Sequence, residues 1–164
     1  MHLLIDGLGS RVGGGITGLV GLVRALTVVA PHNKYSIVLS SRYQQELIAK
    51  FSSMINVISV GLPTSVVVRT FYQNFFLNKI ISDVNADVVF FSGEGGCFNV
   101  RIPSIVVSGN LSLFAAEKQF GQVARRLYFY KLLRKPLALY AMRRVSKIGF
   151  VSSEIRNIVL EQSN

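Results

Sequence analysis

The most constraining feature of this chain is a set of short runs that are apolar on every residue instead of every second one. Asp87-Val88-Val89-Phe90-Phe91 and Ser104-Ile105-Val106-Val107 show no polar alternation. A strand of that kind has both faces covered, which is the environment of a parallel sheet packed between helices. The segments between the strands repeat apolar residues at helical spacing, as in Ile16, Leu19, Val20, Val23 and Leu26. Strand and helix therefore alternate, and the expected fold is α/β, a doubly wound parallel sheet of about six strands with helices on both faces. The strands are expected over His2–Asp6, Tyr35–Leu39, Ile55–Val60, Ala86–Ser92, Ser104–Ser108 and Ile148–Ser152. Helices are expected over Ile16–Val29, Arg42–Phe51, Val66–Val84, from Leu111, over Gly121–Ser146 with a break or kink at Pro136, and over Glu154–Gln162, the last capped by Ser152 or Ser153.

The 164 residues suffice for one such domain, 1–164, and show no linker or internal repeat. Half of them are hydrophobic, enough for a sizeable core and far from the composition of disordered chains. A lone cysteine, Cys97, excludes an internal disulfide, and no Cys/His cluster offers a metal site, which suits a reducing cytoplasm. The longest apolar run, Ile16–Ala30, is interrupted by Arg24 and falls short of the roughly 20 residues a spanning helix needs, so no membrane span is expected. It also makes a poor signal sequence, because Met1–Gly7 reads as a strand.

Charge is distributed unevenly. Lys118, Arg125, Arg126, Lys131, Arg134, Lys135, Arg143, Arg144 and Lys147 fall in one segment without an acidic residue, and they are half of the eighteen basic residues. The remaining nine face eight acidic ones, so the net charge of +10 is a local property. If one helix ran through 121–147, a rotation of about 100° per residue would bring Arg125, Arg126, Arg143, Arg144 and Lys147 onto one arc. Such a face suits an anionic membrane surface, at about 1 kcal/mol per cation near the headgroups. A solvated face is the plain alternative, and nucleic acid is disfavoured because no recognition motif accompanies the charge.

In doubly wound sheets ligands collect at the carboxyl ends of the strands, so the turns after Asp6, Phe91 and Val107 are the ones to inspect. The first is Gly7-Leu8-Gly9-Ser10-Arg11-Val12-Gly13-Gly14-Gly15. Three consecutive glycines ahead of a helix allow close backbone approach, and the free amides of the helix start attract an anion such as a diphosphate. A tight turn required only for packing remains open as a second reading. Val12 interrupts the G-x-G-x-x-G pattern and the second strand ends Val38-Leu39-Ser40-Ser41 without an acid, which argues against a dinucleotide oxidoreductase. The second turn, Ser92-Gly93-Glu94, places a carboxylate able to accept from a substrate hydroxyl or to act as a base. The third, Ser108-Gly109-Asn110, offers short polar groups, with Asn110 equally suited to capping a helix.

The order of these features resembles the N-terminal half of group 1 (family 4) retaining GT-B glycosyltransferases. The likeness is carried by the opening strand His2–Asp6, by Gly13-Gly14-Gly15 leading into Leu19–Leu26, and by Asn85-Ala86-Asp87-Val88-Val89. Ile102-Pro103-Ser104-Ile105-Val106-Val107 and the run from Ala141 through Arg143-Arg144-Val145-Ser146-Lys147 to Glu154 complete it. The resemblance spans nearly the whole chain and implies a Rossmann-like domain that binds the sugar acceptor across a cleft from a second, nucleotide-sugar-binding domain. It assigns the approach to the donor phosphates to Gly13, Gly14 and Gly15, and the acceptor edge to Ser92, Gly93, Glu94, Gly109 and Asn110. Where the family often carries His-Asp after the fifth strand this chain has Gly109-Asn110, so the histidine side chain is lost and no catalytic residue is assigned. The paired-glutamate motif of the second domain falls outside these residues. The resemblance thus implies an acceptor-binding half, inactive alone, at the cytoplasmic face of a membrane and acting on a lipid-linked or other acceptor. It would hold no cofactor tightly and would meet a nucleotide sugar only when a separate donor-binding domain closes on it. Self-association through the apolar surface that domain would cover is a further expectation. The alternative is a non-enzymatic module that docks on a membrane or a protein.

Overall fold

The computed structural model describes residues 1–11, 13–51, 53–63, 65–93, 99–109, 111–114, 132 and 135–163. In chain order the elements are β1 (His2–Asp6), α1 (Gly14–Val29), β2 (Lys34–Leu39), α2 (Arg42–Ile48) with a 3-10 turn Ala49–Phe51, β3 (Asn56–Ser59) and α3 (Val66–Asp83). They continue with β4 (Val88–Phe91), β5 (Ser104–Ser108), α4 (Leu111–Phe114), the helical residues 135–142 (α5), β6 (Lys147–Phe150) and α6 (Ser153–Ser163). All six strands are parallel and lie in the order β3-β2-β1-β4-β5-β6. This is the doubly wound, Rossmann-like arrangement expected from the apolar strands.

The alternation of side chains along each strand explains the continuous apolar runs. Leu3 and Ile5 of β1 join Ile37 and Leu39 of β2 against Ile16, Leu19 and Val23 of α1 and Ile48 of α2. Leu4 points the other way, into a second core with Val38, Val89 and Phe91, covered by Leu77 and Ile81 of α3, Ala138 and Met142 of α5, and Ile155 and Val159 of α6. Each such fully buried Leu or Ile contributes about 1.5–3 kcal/mol relative to exposure. The outward side of α3 leaves Val67, Phe71 and Phe75 exposed, the two rings stacked 4.3 Å apart.

Local chemistry sets the element ends. Ser41 and Gln44 form a reciprocal capping box on α2, and the Ser152 hydroxyl accepts from the Ile155 amide at 3.2 Å to start α6. The Tyr35 hydroxyl donates to the carbonyls of Leu26 and Ala30, closing the end of α1 that has no basic residue. The expected basic arc, by contrast, does not form on one helix. Residues 143–146 form a turn and Lys147 opens β6, so Arg143, Arg144 and Lys147 do not share a helix. The cause is β5: the Ser146 amide donates to the Ser104 carbonyl at 2.9 Å and the Ser146 hydroxyl accepts from the Ser104 amide at 3.1 Å, drawing the chain off the helix and onto the sheet.

Candidate functional site at the carboxyl rim

The chain crosses over β1 through α3, so β1 and β4 are the neighbours between which the winding reverses. In this architecture that is where the rim opens a crevice. The loop leaving β1 is anchored from three directions. Gly7 sits so close to β2 that a Cβ there would lie 2.8 Å from Leu39 Cδ2 and 3.0 Å from the Val38 carbonyl oxygen. Gln44 reaches over from α2, its Nε2 donating to the carbonyls of Gly7 and Ser10 at 2.8 Å each while its Oε1 accepts from the amides of Ser40 and Ser41. On the other side the Ser10 hydroxyl donates to the Ser92 hydroxyl at 2.9 Å, and that hydroxyl donates to the Asp6 carbonyl at 2.6 Å.

Beyond this anchored part the loop opens. Gly13 adopts φ 59°, a left-handed value that disfavours any other residue, and it precedes a helix start with no side-chain cap and no acid in its first turn. A Cβ at Gly13 or Gly14 would meet nothing within 4 Å, whereas one at Gly15 would lie 3.4 Å from Ser10 Cα. Packing against the body of the protein therefore accounts for Gly7 and limits Gly15, but not Gly14. Unsatisfied amides facing open space at the start of a 16-residue helix are an anion-attracting geometry.

Beside this opening lies a charged cluster that the glycine-rich turns themselves do not announce. Asp6, 2% exposed, accepts from the Leu8 amide at 3.0 Å through Oδ1 and from Gln73 Nε2 through Oδ2. Burial pushes its carboxyl pKa up, against the opposing pull of the Leu8 and Gln73 hydrogen bonds and the Arg69 charge. Arg69 lies one turn before Gln73 on the same face of α3 and is half-buried. Arg11 donates through Nη2 to the Leu62 carbonyl at 3.1 Å. Burial lowers the pKa of both guanidiniums. The Arg69 charge adds to this for Arg11, while Asp6 opposes it for Arg69. Both remain cations at neutral pH. Among the described residues, Arg11 Nε and Gln73 Oε1 are buried without a hydrogen-bond partner. The sequence signal for this group is slight: Arg69 is the first charge in a helix rich in apolar and aromatic residues, with Gln73 four residues later.

The residues expected at the rim do not all gather there. Gly13, Gly14 and Gly15 stand at the opening, Ser92 and Gly93 follow β4 next to Ser10, and Gly109 follows β5, where a Cβ would approach Val151 to 3.3 Å. The Ser92 hydroxyl is engaged in the latch to β1. Glu94, Asn110, Arg125 and Arg126 lie outside the described residues. Arg143, Arg144 and Lys147 are exposed at the start of β6, the opposite end of the sheet from the glycine loop, with the Arg144 guanidinium 4.6 Å from the centre of the Tyr140 ring. At that same amino end His2 Nε2 and the Ser36 hydroxyl are 2.9 Å apart, but Asp87 accepts from the His2 backbone amide and, among the described residues, no carboxylate bonds the ring. Among the described residues no helix is long and apolar enough to cross a membrane. In comparisons with known proteins the chain matches no family model, no curated protein and no solved structure.

Proposed function

We propose that the chain is the acceptor-binding half of a retaining GT-B glycosyltransferase, completed by a nucleotide-sugar-binding domain that closes over the carboxyl rim. The observation that carries this reading is the uncapped start of α1 behind Gly13 and Gly14, open to solvent beside the β1/β4 crevice. The amides of Gly13–Gly15 would meet the donor phosphates on closure. Ser92 and Gly93 would border the acceptor, and the basic surface including Arg143, Arg144 and Lys147 would hold the half against an anionic membrane, at its cytoplasmic face, where a lipid-linked acceptor is presented. The exposed strip Val67, Phe71 and Phe75 is the kind of surface that a second lobe or a second copy covers.

The test is transfer from a panel of nucleotide sugars to lipid-linked acceptors, with and without a family donor-binding domain supplied in trans. The expected outcome is no turnover by the 164 residues alone and measurable turnover with the donor domain. Robust turnover by the chain alone overturns the two-lobe reading. Absence of turnover in every combination favours the second reading, a docking module without catalysis, which the exposed basic residues far from the glycine loop support.

A further inference from the structure

Arg11 and Arg69 share the carboxyl rim of β1 without a counter-ion in contact. Among the described residues neither guanidinium is within ion-pair distance of a carboxylate, since the one such pair is Arg42–Glu46 on the surface of α2. Asp6 is the acid whose charge acts on Arg69, and both its oxygens are occupied, one by the Leu8 amide and the other by Gln73. Gln73 fixes where Arg69 stands: one helical turn of about 5.4 Å separates them on α3, with Arg69 nearer the helix start and hence the mouth. Arg11 is held over the same end by the Leu62 carbonyl. The Arg69 guanidinium makes no hydrogen bond to any described residue, and the buried Nε of Arg11 has no acceptor among the described residues.

A purely structural role accounts poorly for this arrangement. Two partly desolvated like charges destabilise one another, and an arginine kept for packing is normally neutralised or hydrogen-bonded. The cost is offset if an anion completes the site. Two guanidinium forks match a tetrahedral, doubly charged oxyanion better than a carboxylate, which a single arginine already satisfies. We propose that Arg11 and Arg69 form a binding site for a phosphate group carried by the ligand, set beside the open start of α1. This site does not require glycosyl transfer and goes beyond that reading.

Calorimetric titration of the full chain with glycerol 3-phosphate, and with glycerol as the uncharged control, tests it. Saturable binding of the phosphate ester alone is expected, weakening as salt is added. Arg11→Gln and Arg69→Gln should each weaken it by about tenfold or more, and Arg69→Lys, which keeps the charge but not the fork, by less. Arg24→Gln, on the exposed side of α1, should leave it unchanged. The ester should also raise the unfolding midpoint of the natural chain and fail to do so in Arg69→Gln. That variant gives up no described hydrogen bond, so it keeps the test decisive should Arg11→Gln not fold. Competition by phosphatidic acid vesicles would assign the phosphate to a lipid headgroup, and its absence to a soluble ester; both uphold the site. No saturable binding to the natural chain, or binding kept within twofold in Arg69→Gln, overturns it.

Discussion

The two ends of β1 differ in how their polar groups are satisfied. At the amino end the His2 ring meets the Ser36 hydroxyl, the Asn56 amide also reaches that hydroxyl at 3.4 Å, and the His2 backbone amide donates to Asp87. At the carboxyl end a carboxylate is buried against its preference for charge, two guanidiniums lack a described carboxylate in contact, and a donor and an acceptor are buried without partners among the described residues. Buried polar groups are nearly always satisfied where a structure is built for stability alone, so the unmatched end is the one shaped by something other than the fold. The backbone at that same end is held firmly, through Gly7, Gln44 and the Ser10–Ser92 latch. Its support is complete while the groups it presents are not.

The sharpest way to break this contrast is to disrupt the support. Gly7→Val would drive side-chain atoms into Leu39 and the Val38 carbonyl, so a loss of about 3 kcal/mol is expected, read as a fall in the denaturation midpoint. A stability within about 0.5 kcal/mol of the natural chain, the scale of a neutral surface change, would show that the loop is not held as described.

Asp6→Asn probes the unmatched charge and should appear as a slope. Because burial raises the folded-state pKa, the folded chain keeps its proton after the unfolded chain has lost it. Stability therefore falls as pH rises from the ordinary carboxylate value of 3.8 through the folded pKa, and levels off above it. Asn carries no such charge, still offers an acceptor to the Leu8 amide and can pair with Gln73, so its stability relative to the natural chain should increase across that window. Parallel stability–pH curves for the two proteins would contradict the assignment.

The smallest effect is expected at the matched end. His2→Ala removes one hydrogen bond on a partly exposed side chain and should cost about 1 kcal/mol, with no change in ligand binding at the rim. A change in glycerol 3-phosphate affinity in this variant would mean that the two ends are coupled and the contrast is too simple.

Most of the fold is legible in the residues because its cause is local and periodic. Ser104–Ser108 is the strand read from its apolar run, and the other strands, with the helices α1, α2, α3 and α6, agree with their patterns to within a few residues, while most of the helix expected over Gly121–Ser146 lies outside the described residues. The errors fall where a distant partner decides. Residues 143–147 have helical periodicity, yet β5 captures Ser146 and turns Lys147 into sheet, so the proposed arc of cations does not reach it. At the rim, the glycine turn announces itself by composition, whereas Asp6, Arg11, Arg69 and Gln73 do not. Nothing in their spacing along the chain says that a residue of α3 will reach the carboxylate ending β1, 67 positions away.

The order of the residues was enough to dictate the sheet, its parallel sense and the place of the glycine turn, because apolar runs require covering on both faces and glycines punctuate the chain wherever they stand. Which charges meet was settled by folding in three dimensions. Side-chain electrostatics depends on separation in space, and the crossover from β3 through α3 to β4 brings Arg69 and Gln73 over the end of a strand laid down at the start of the chain.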